Sequence, residues 1–496
     1  MMDINIGNVN GLPGPERKML GDLIAIFNYH NGKNAEKVIY YEGHITLNEV
    51  NLGIALPQAM RGLEIGCEWG SKCVDVLAAR SMFDGFVGAN GAEVSTLTQI
   101  MGDNRILAEY QKAVRDELKF GCTFAVLAGD SEIGCRIRFA SPMDAAARWN
   151  AELGRIDCGM TIIDGRIDDS DKKWKPSRIR LDTDDAVWML TRSGSGWTAE
   201  YLQNKMGRPL MVPLIWNATS AKPFGRSRIK EPVRRLIQSY VRTIANATIG
   251  LEFSTSPQKY LMGVTDDQYD AIINDKFRQY VGSIIAGTVN PETGERPTFG
   301  QLQQGTLNPH VEMLRMLATQ FSAATGLTVT DTGVVNDANP TSSDAILAQS
   351  QTLVLLAEQL NAGNGDALKL IAQMAQAIAR DVTLDQLTDE ERDVVAHFKN
   401  PAMPSVSVTA DAAIKIASAR ENFAGTDVFL EMIGFDQADI RRIKAQESRN
   451  RGLTFLNELV ETPPPGEGNG NGGSEEGGAA GTQRQGTGTA GAGETA

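Results

Sequence analysis

Four histidines and five cysteines in 496 residues leave little material for metal or nucleophile chemistry. His30, His44, His310 and His397 lie far apart, and no H-E-x-x-H segment links any two of them. Cys67, Cys73, Cys122, Cys135 and Cys158 form no C-x-x-C pair, and no paired histidines follow at zinc-finger spacing. Odd in number and confined to the first third, they read as reduced core cysteines of a cytosolic setting. There is no phosphate-binding G-x-x-x-x-G-K-S/T loop, because Gly32-Lys33 runs into Asn34, and Gly194-Ser195-Gly196 reads as a turn rather than a nucleophile elbow. No apolar run reaches the ~18 residues that cross a bilayer, and no basic-then-apolar signal segment is expected. Positive charge is also short: 48 Lys and Arg face 61 Asp and Glu, a net of −13. Gripping duplex phosphates over a whole surface takes an excess of cations. Tight sequence-independent nucleic-acid binding is thereby excluded, while enclosing or guiding the polymer is not.

The carboxylates offer no obvious site either. Asp168, Asp169 and Asp171 sit beside Lys172 and Lys173, and Asp182, Asp184 and Asp185 fall between two strand patterns. Neither cluster has the spacing of a calcium loop, and both are expected to be exposed turns. Metal and cofactor are expected to be none, and a long chain without a catalytic constellation favours a structural or assembly role over an enzyme.

What is present is strong patterning. Hydrophobic residues make up 42% of the chain, enough for a sizeable core, and the length suggests about two to four domains. Pro15 can open a helix carrying Leu20, Leu23, Ile24 and Phe27, which Asn31-Gly32 should break, with Tyr40-Tyr41-Glu42-Gly43-His44 closing the segment. Further helices are expected near 66–82 and over 102–120, the second ending at Gly121. From 122 to 216 the period changes to two: Cys135, Ile137 and Phe139 alternate with Arg136 and Arg138, Ile179 and Leu181 with Arg178 and Arg180, and Val187, Met189 and Thr191 continue. Asp164-Gly165 signals a turn. This half is α+β with an antiparallel sheet.

After Gly225 a helical stripe of Ile229, Val233, Leu236, Ile237, Tyr240, Ile244 and Ala247 predicts one helix to Leu251, about 34 Å at 1.5 Å per residue. Residues 225–252 carry six basic side chains against Glu231 and Glu252, a net of +4. They read as a solvated face or as a contact for an acidic neighbour. Asn290 to Gly294 is a tight turn by composition.

Residues 308–346 are the most informative stretch. Asn308 can N-cap a helix with Pro309 at its first position. Val311, Leu314, Leu317, Ala318 and Phe321 share one face, and Gly326 fits the left-handed residue after the last turn. A polar loop with few large apolar anchors follows to Pro340, then Thr341, Ser342, Ser343 and Asp344 open a second helix. Such a unit can act as a moving part, or be an ordinary loop between core helices. Leu370, Ile371, Met374 and Ile378 share a later helical face. A short strand over Val406–Thr409 should precede helices around 410–424 and 436–451, the last started by Asp436 and Asp439. Residues 466–496 hold 12 glycines in 31 and no apolar side chain larger than alanine, so disorder is expected there.

Taken in order, these landmarks resemble the portal proteins of tailed double-stranded-DNA bacteriophages, of the siphovirus head-to-tail connector type. Tyr40-Tyr41-Glu42-Gly43-His44 is similar to the family's early Tyr-Tyr-x-Gly segment, and Arg80 to Phe86 to the next landmark. Val212 to Asn217 and Gly225 to Ile229 resemble the strand and glycine turn before its long helix, and Ser256 to Gly263 the strand after it. Asn339 to Ile346 is the most specific match, and Ile433-Gly434-Phe435 with Ile440 to Ile443 resembles the terminal helical pair. Arg228, Thr328 and Ser343 depart from the family's usual residues.

The resemblance implies a portal fold. Residues 1–225 would form an α/β wing, 226–252 and 308–326 paired stem helices, and 253–307 a small α/β clip. Residues 327–340 would form a tunnel loop, 341–382 tunnel and inner-wing helices, 383–462 a helical crown, and 463–496 a disordered Gly-rich tail. It implies a homo-oligomeric ring, usually of twelve subunits, at one capsid vertex of a virion assembled in the host cytoplasm. Double-stranded DNA would pass through without sequence specificity. The terminase large subunit, a head–tail adaptor, and the major capsid and scaffolding proteins would be partners, with no membrane. Tunnel-loop candidates are then Thr330, Asp331, Asn336, Asp337 and Asn339, and Arg234, Arg235 and Arg242 are candidates for contact between subunits. Asp331 and Asp337 suit a bore that keeps phosphate affinity low. The competing readings are a metal-dependent hydrolase using an Asp cluster, and another virion component such as an adaptor or minor capsid protein.

Overall fold

In the computed structural model the described residues are 9–46, 64–88, 95–167, 174–194, 196–255, 259–262, 289, 294, 296, 298–301, 306–334, 343–402, 406–420, 422–435 and 437–461. The chain is α+β and divides into two units, 1–404 and 405–496.

The larger unit begins with strand β1 (Val9–Asn10) and helix α1 (Gly14–Glu42). Asn31-Gly32 does not break α1. A helical glycine costs only about 1 kcal/mol, and both halves are held by packing. Leu20, Leu23, Ile24 and Phe27 are buried against a sheet, and Tyr40 is buried against the next helix. The stop is Gly43, left-handed at φ 74°, whose N–H donates to Ile39 O at 3.2 Å. Strands β2 (His44–Thr46) and β3 (Glu64–Gly66) pair, and α2 (Trp69–Ala78) then crosses α1. That crossing requires Gly70, since a Cβ there would lie 1.8 Å from Tyr40 O.

Strand β4 (Phe83–Gly88) precedes α3 (Ser95–Asp103) and α4 (Ile106–Phe120). The single helix expected over 102–120 is two, because Arg105 turns left-handed at φ 50° between them. Strands β5 (Cys122–Asp130), β6 (Gly134–Ala140), β7 (Ala145–Asn150), β8 (Arg155–Ile167), β9 (Trp174–Thr183), β10 (Ala186–Ser193), β11 (Gly196–Gln203) and β12 (Met211–Ile215) follow. They form two sheets, in the orders β1-β11-β10-β9-β8-β7 and β12-β5-β6. All neighbours are antiparallel except β1 and β11.

Three details of the sheet pattern are corrected. Asp164-Gly165 is an irregularity inside β8, not a turn. Arg180 is buried rather than solvent-facing: it pairs with buried Asp182 at 2.6 Å and donates to Leu127 O at 2.6 Å, tying the two sheets together. In β10 the residues packed in the core beside α1 are Trp188 and Leu190, whereas Thr191 is exposed. All five cysteines are free and buried, and burial pushes Cys73, Cys122, Cys135 and Cys158 up to about 12.

Helix α5 (Glu231–Thr255) follows the turn at Gly225, which is left-handed at φ 68° and so close to Trp216 O that a Cβ would come within 2.1 Å. Strands β13 (Lys259–Met262) and β14 (Thr298–Gln301) pair, and most of residues 253–307 lies outside the described set. Helix α6 (Asn308–Thr325) packs on α5, and α7 (Ser343–Ala379) runs for 37 residues, about 55 Å, against β5, β6 and β12. Strand β15 (Val394–Phe398) returns to pair with β4. Val233, Ile237, Val241 and Ala245 of α5 repeat every fourth residue into the main core. There they meet Leu317, Ala318 and Phe321 of α6 and Leu353, Ala357 and Leu360 of α7.

The smaller unit holds α8 (Val406–Ala419), α9 (Asp427–Ile433) and α10 (Gln437–Glu461). The strand expected at Val406–Thr409 is instead the first turn of α8. The run Val406-Ser407-Val408 alternates, but the alanine-rich continuation carries helical spacing backward through it. Thr426 caps α9 by accepting from Phe429 N, and Gly434 ends it at φ 109°. Asp436 and residues 463–496, where disorder is expected, lie outside the described residues.

Candidate functional site

The α5–α6 pair is fastened at one end by an aromatic stack. Trp69 lies between Tyr240 of α5, at 4.2 Å, and Phe321 of α6, at 4.6 Å between ring centroids. Its indole N–H donates to Thr332 O at 3.1 Å, so the same ring fixes the turn after α6. Asn308 does not cap α6. Leu307 occupies the cap with helical backbone angles, and Asn308 is the first residue inside, ahead of Pro309. The C-terminus is as expected, with Gly326 left-handed at φ 73° and its N–H on Ser322 O.

The loop after α6 is better anchored than its composition suggests. Leu327 is buried, and Val329 and Val334 pack against the core. Thr330–Thr332 form a single tight turn closed by Gly333. Asp331 Oδ2 accepts from Thr328 N at 2.9 Å and from Thr328 Oγ1 at 2.8 Å, so its carboxylate is engaged in holding the turn. Asn336, Asp337 and Asn339 lie outside the described residues.

Arg228, just before α5, is buried without a carboxylate. Its guanidinium donates to Thr325 O at 2.5 Å and to Cys73 O, joining the C-terminus of α6 to α2. The last carbonyls of a helix are short of partners and carry partial negative charge, which suits a cation. The basic stripe is accordingly weaker as a charged face than its net of +4 implies. Arg228 is internal, Arg234 pairs with Glu36 at 3.4 Å, and Arg235 pairs with Glu231 at 2.6 Å. Arg242 lines a small cavity of about 340 Å³ between α5 and α6, with His310 and Met313.

A buried polar chain crosses α7. Glu117 Oε2 accepts from Asn364 Nδ2 at 2.8 Å, and Asn364 also donates to the Tyr110 hydroxyl at 3.1 Å. Tyr110 is 2.9 Å from Ser81 Oγ, which donates to Asn361 at 2.6 Å. Burial pushes the Glu117 carboxyl up to about 8, so it is protonated at neutral pH. Sequence reasoning passed over this group. Its signal is Asn361-Ala-Gly-Asn364-Gly in the middle of a helical stripe, a local preference at odds with its surroundings.

The carboxylates weighed as a metal site do not converge. Asp182 is fully buried on Arg180, contrary to an exposed turn, and Asp184 is held by both terminal nitrogens of Arg155, at 2.8 and 3.2 Å. Asp168, Asp169 and Asp171 lie outside the described residues. Among the described residues no cluster of three His, Cys, Asp or Glu is arranged to hold a metal ion, and no helix is long and apolar enough to cross a membrane.

No family model and no curated protein matches the chain. Solved chains similar to it include three from particles called gene transfer agents. One, from the virion of the native particle, is 10% identical over 71% of this chain and 84% of its own, with a TM-score of 0.42. Another, from the neck of the native particle computed with C12 symmetry, is 11% identical over 74% and 89%, with a TM-score of 0.42. A third, from the neck of the empty particle computed with C6 symmetry, is 12% identical over 71% and 87%, with a TM-score of 0.43. At these scores the likeness is too loose to assign a fold or a role to this chain.

Proposed function

We propose that the chain is the subunit of a portal ring of the tailed-phage type, a conduit for double-stranded DNA and a docking hub for the packaging motor and neck proteins. The observation that carries this reading is the α5–α6 pair. Its Trp69 end is buried, while residues 308–316 of α6 include no buried side chain, and Val311, Met313 and Met316 are 46%, 37% and 46% exposed. Leu251, late in α5, is exposed as well. Apolar side chains grouped on a helix pair are what a neighbouring copy would cover, and a head-to-tail contact of that kind closes into a ring when its rotation allows.

Two further features support it. The landmarks quoted above occur in the portal order, and α5, α6 and α7 are long helices in the stretches of chain from which that order would build a stem and an inner wall. The net charge of −13 suits a bore through which a polyanion slides rather than sticks. Among the described residues the hydrolase alternative has nothing comparable, since Asp182 and Asp184 are both taken by arginines. Negative-stain microscopy of the full chain, with its mass in solution, tests the proposal. Closed rings with a central hole are expected, and a chain that stays monomeric at micromolar concentration ends it.

A further inference from the structure

The larger unit contains a cavity of about 760 Å³ whose lining is charged with one sign only. Lys33 and Lys37 reach it from one face of α1, one turn apart. Lys222 comes from the segment after β12, and Arg226, Lys230 and Arg234 from the lead-in and first turn of α5. No Asp or Glu among the described residues lines it, in a protein with 13 more acidic than basic side chains. Much of its remaining wall is apolar and aromatic, with Phe27, Phe120, Phe124 and Phe224, interrupted by His30, Asn34 and Ser227. The size lies within the range of about 300–1,000 Å³ typical of small-molecule sites.

Several of these cations are free to take a ligand. Arg234 is engaged with Glu36, and Lys33 rests 4.0 Å over the Tyr29 ring. Lys222, Arg226 and Lys230 have no carboxylate partner among the described residues. Lys37 donates to Asn34 Oδ1 and Phe120 O, each at 3.0 Å, which uses two of its three protons. It is half-buried, and burial, aided by Arg234, pulls it down to about 8. An incoming anion would relieve both the burial of that charge and the repulsion around it.

The geometry points to a binding site for a small organic anion. An aromatic or aliphatic body would lie on the phenylalanines, and a carboxylate or phosphate head would sit among Lys37, Lys222, Arg226 and Lys230. A concave pocket lined by four chain segments favours a compact ligand over an extended peptide or a nucleic-acid strand. This inference stands on the cavity alone and does not depend on ring formation.

The test uses the full chain as it purifies, with anilinonaphthalenesulfonate as the probe and uncharged N-phenylnaphthylamine as its matched control. Saturable binding of the sulfonate at one molecule per chain is expected. The K222E/K230E variant changes two exposed lysines, with circular dichroism checking the fold, and should weaken the sulfonate about tenfold or more. The neutral probe should shift less than twofold. Displacement of the sulfonate by ATP assigns a phosphate head, and displacement by naphthoate a carboxylate head. Equal binding of the two probes, or sulfonate binding indifferent to K222E/K230E, overturns the site. So does competition by a duplex oligonucleotide or an acidic peptide when neither small anion competes.

Discussion

Helices α6 and α7 each break the usual rule about what goes inside, in opposite directions. Helix α7 buries Asn361, Asn364 and Gln376, while α6 leaves Val311, Met313 and Met316 outside. The two asparagines are answered in part within the chain: Asn361 Oδ1 accepts from Ser81 and the Asn364 amide nitrogen donates to Tyr110 and Glu117, while Asn364 Oδ1 and Gln376 Oε1 stay buried without a partner among the described residues. The exposed side chains of α6 have no such answer among the described residues. A buried polar group with partners is finished architecture, whereas an uncovered apolar face is an unfinished one and points to another molecule.

The comparison can be broken most completely at α6. Introducing lysine at Val311 and Met316 together should abolish the proposed ring assembly. Exposed sites of this kind usually cost the subunit less than about 0.5 kcal/mol. Rings of normal size by negative stain in that double variant would sever the exposed face from assembly. Next in size is Trp69→Ala, which removes the stack between α5 and α6 and the donor to Thr332. A loss of about 3–5 kcal/mol in denaturant-induced unfolding is expected.

Arg228→Met should cost less, about 2–3 kcal/mol, since it leaves Thr325 O and Cys73 O buried without a donor. Thermal unfolding reads it, and a loss no larger than that of an exposed arginine variant would remove Arg228 from the joint. The smallest and most specific effect lies at Glu117. Its folded pKa of about 8 is above its ordinary value of 4.5. The folded state therefore holds a proton that the unfolded state releases. This contribution is complete below about pH 4.5, declines as pH rises, and is gone above about 8. Glu117→Gln should match the wild type near pH 5 and exceed it by about 1 kcal/mol at pH 6. Unfolding curves that stay parallel at both pH values would mean that Glu117 does not titrate in this range.

Much of the fold is legible from the residues alone where a single period rules. The α1 stripe, the alternation of β6, the long α5 and the left-handed stop at Gly326 can all be read without coordinates. Readings failed where a local signal competed with packing. Asn31-Gly32 looks like a break, yet both flanks of α1 are pinned. Asp164-Gly165 looks like a turn, yet β8 continues to pair beyond it. Arg180 and Asp182 look exposed because their types usually are, and only the meeting of two sheets turns them inward.

The candidate site divides the same way. The helix, loop, helix unit around Gly326 is written in caps and spacing, which depend on neighbours three or four residues away. The Trp69 stack, the Arg228 joint, the Glu117 chain and the cationic cavity assemble from segments up to 280 residues apart. Composition and periodicity determined that this protein is acidic, poor in histidine and cysteine, and built of long helices and antiparallel strands. Which arginine is buried, which carboxyl holds its proton and which helix face stays uncovered were decided by tertiary structure. Those properties depend on what distant parts of the chain bring within a few ångströms, where desolvation and pairing set the energy of every charge.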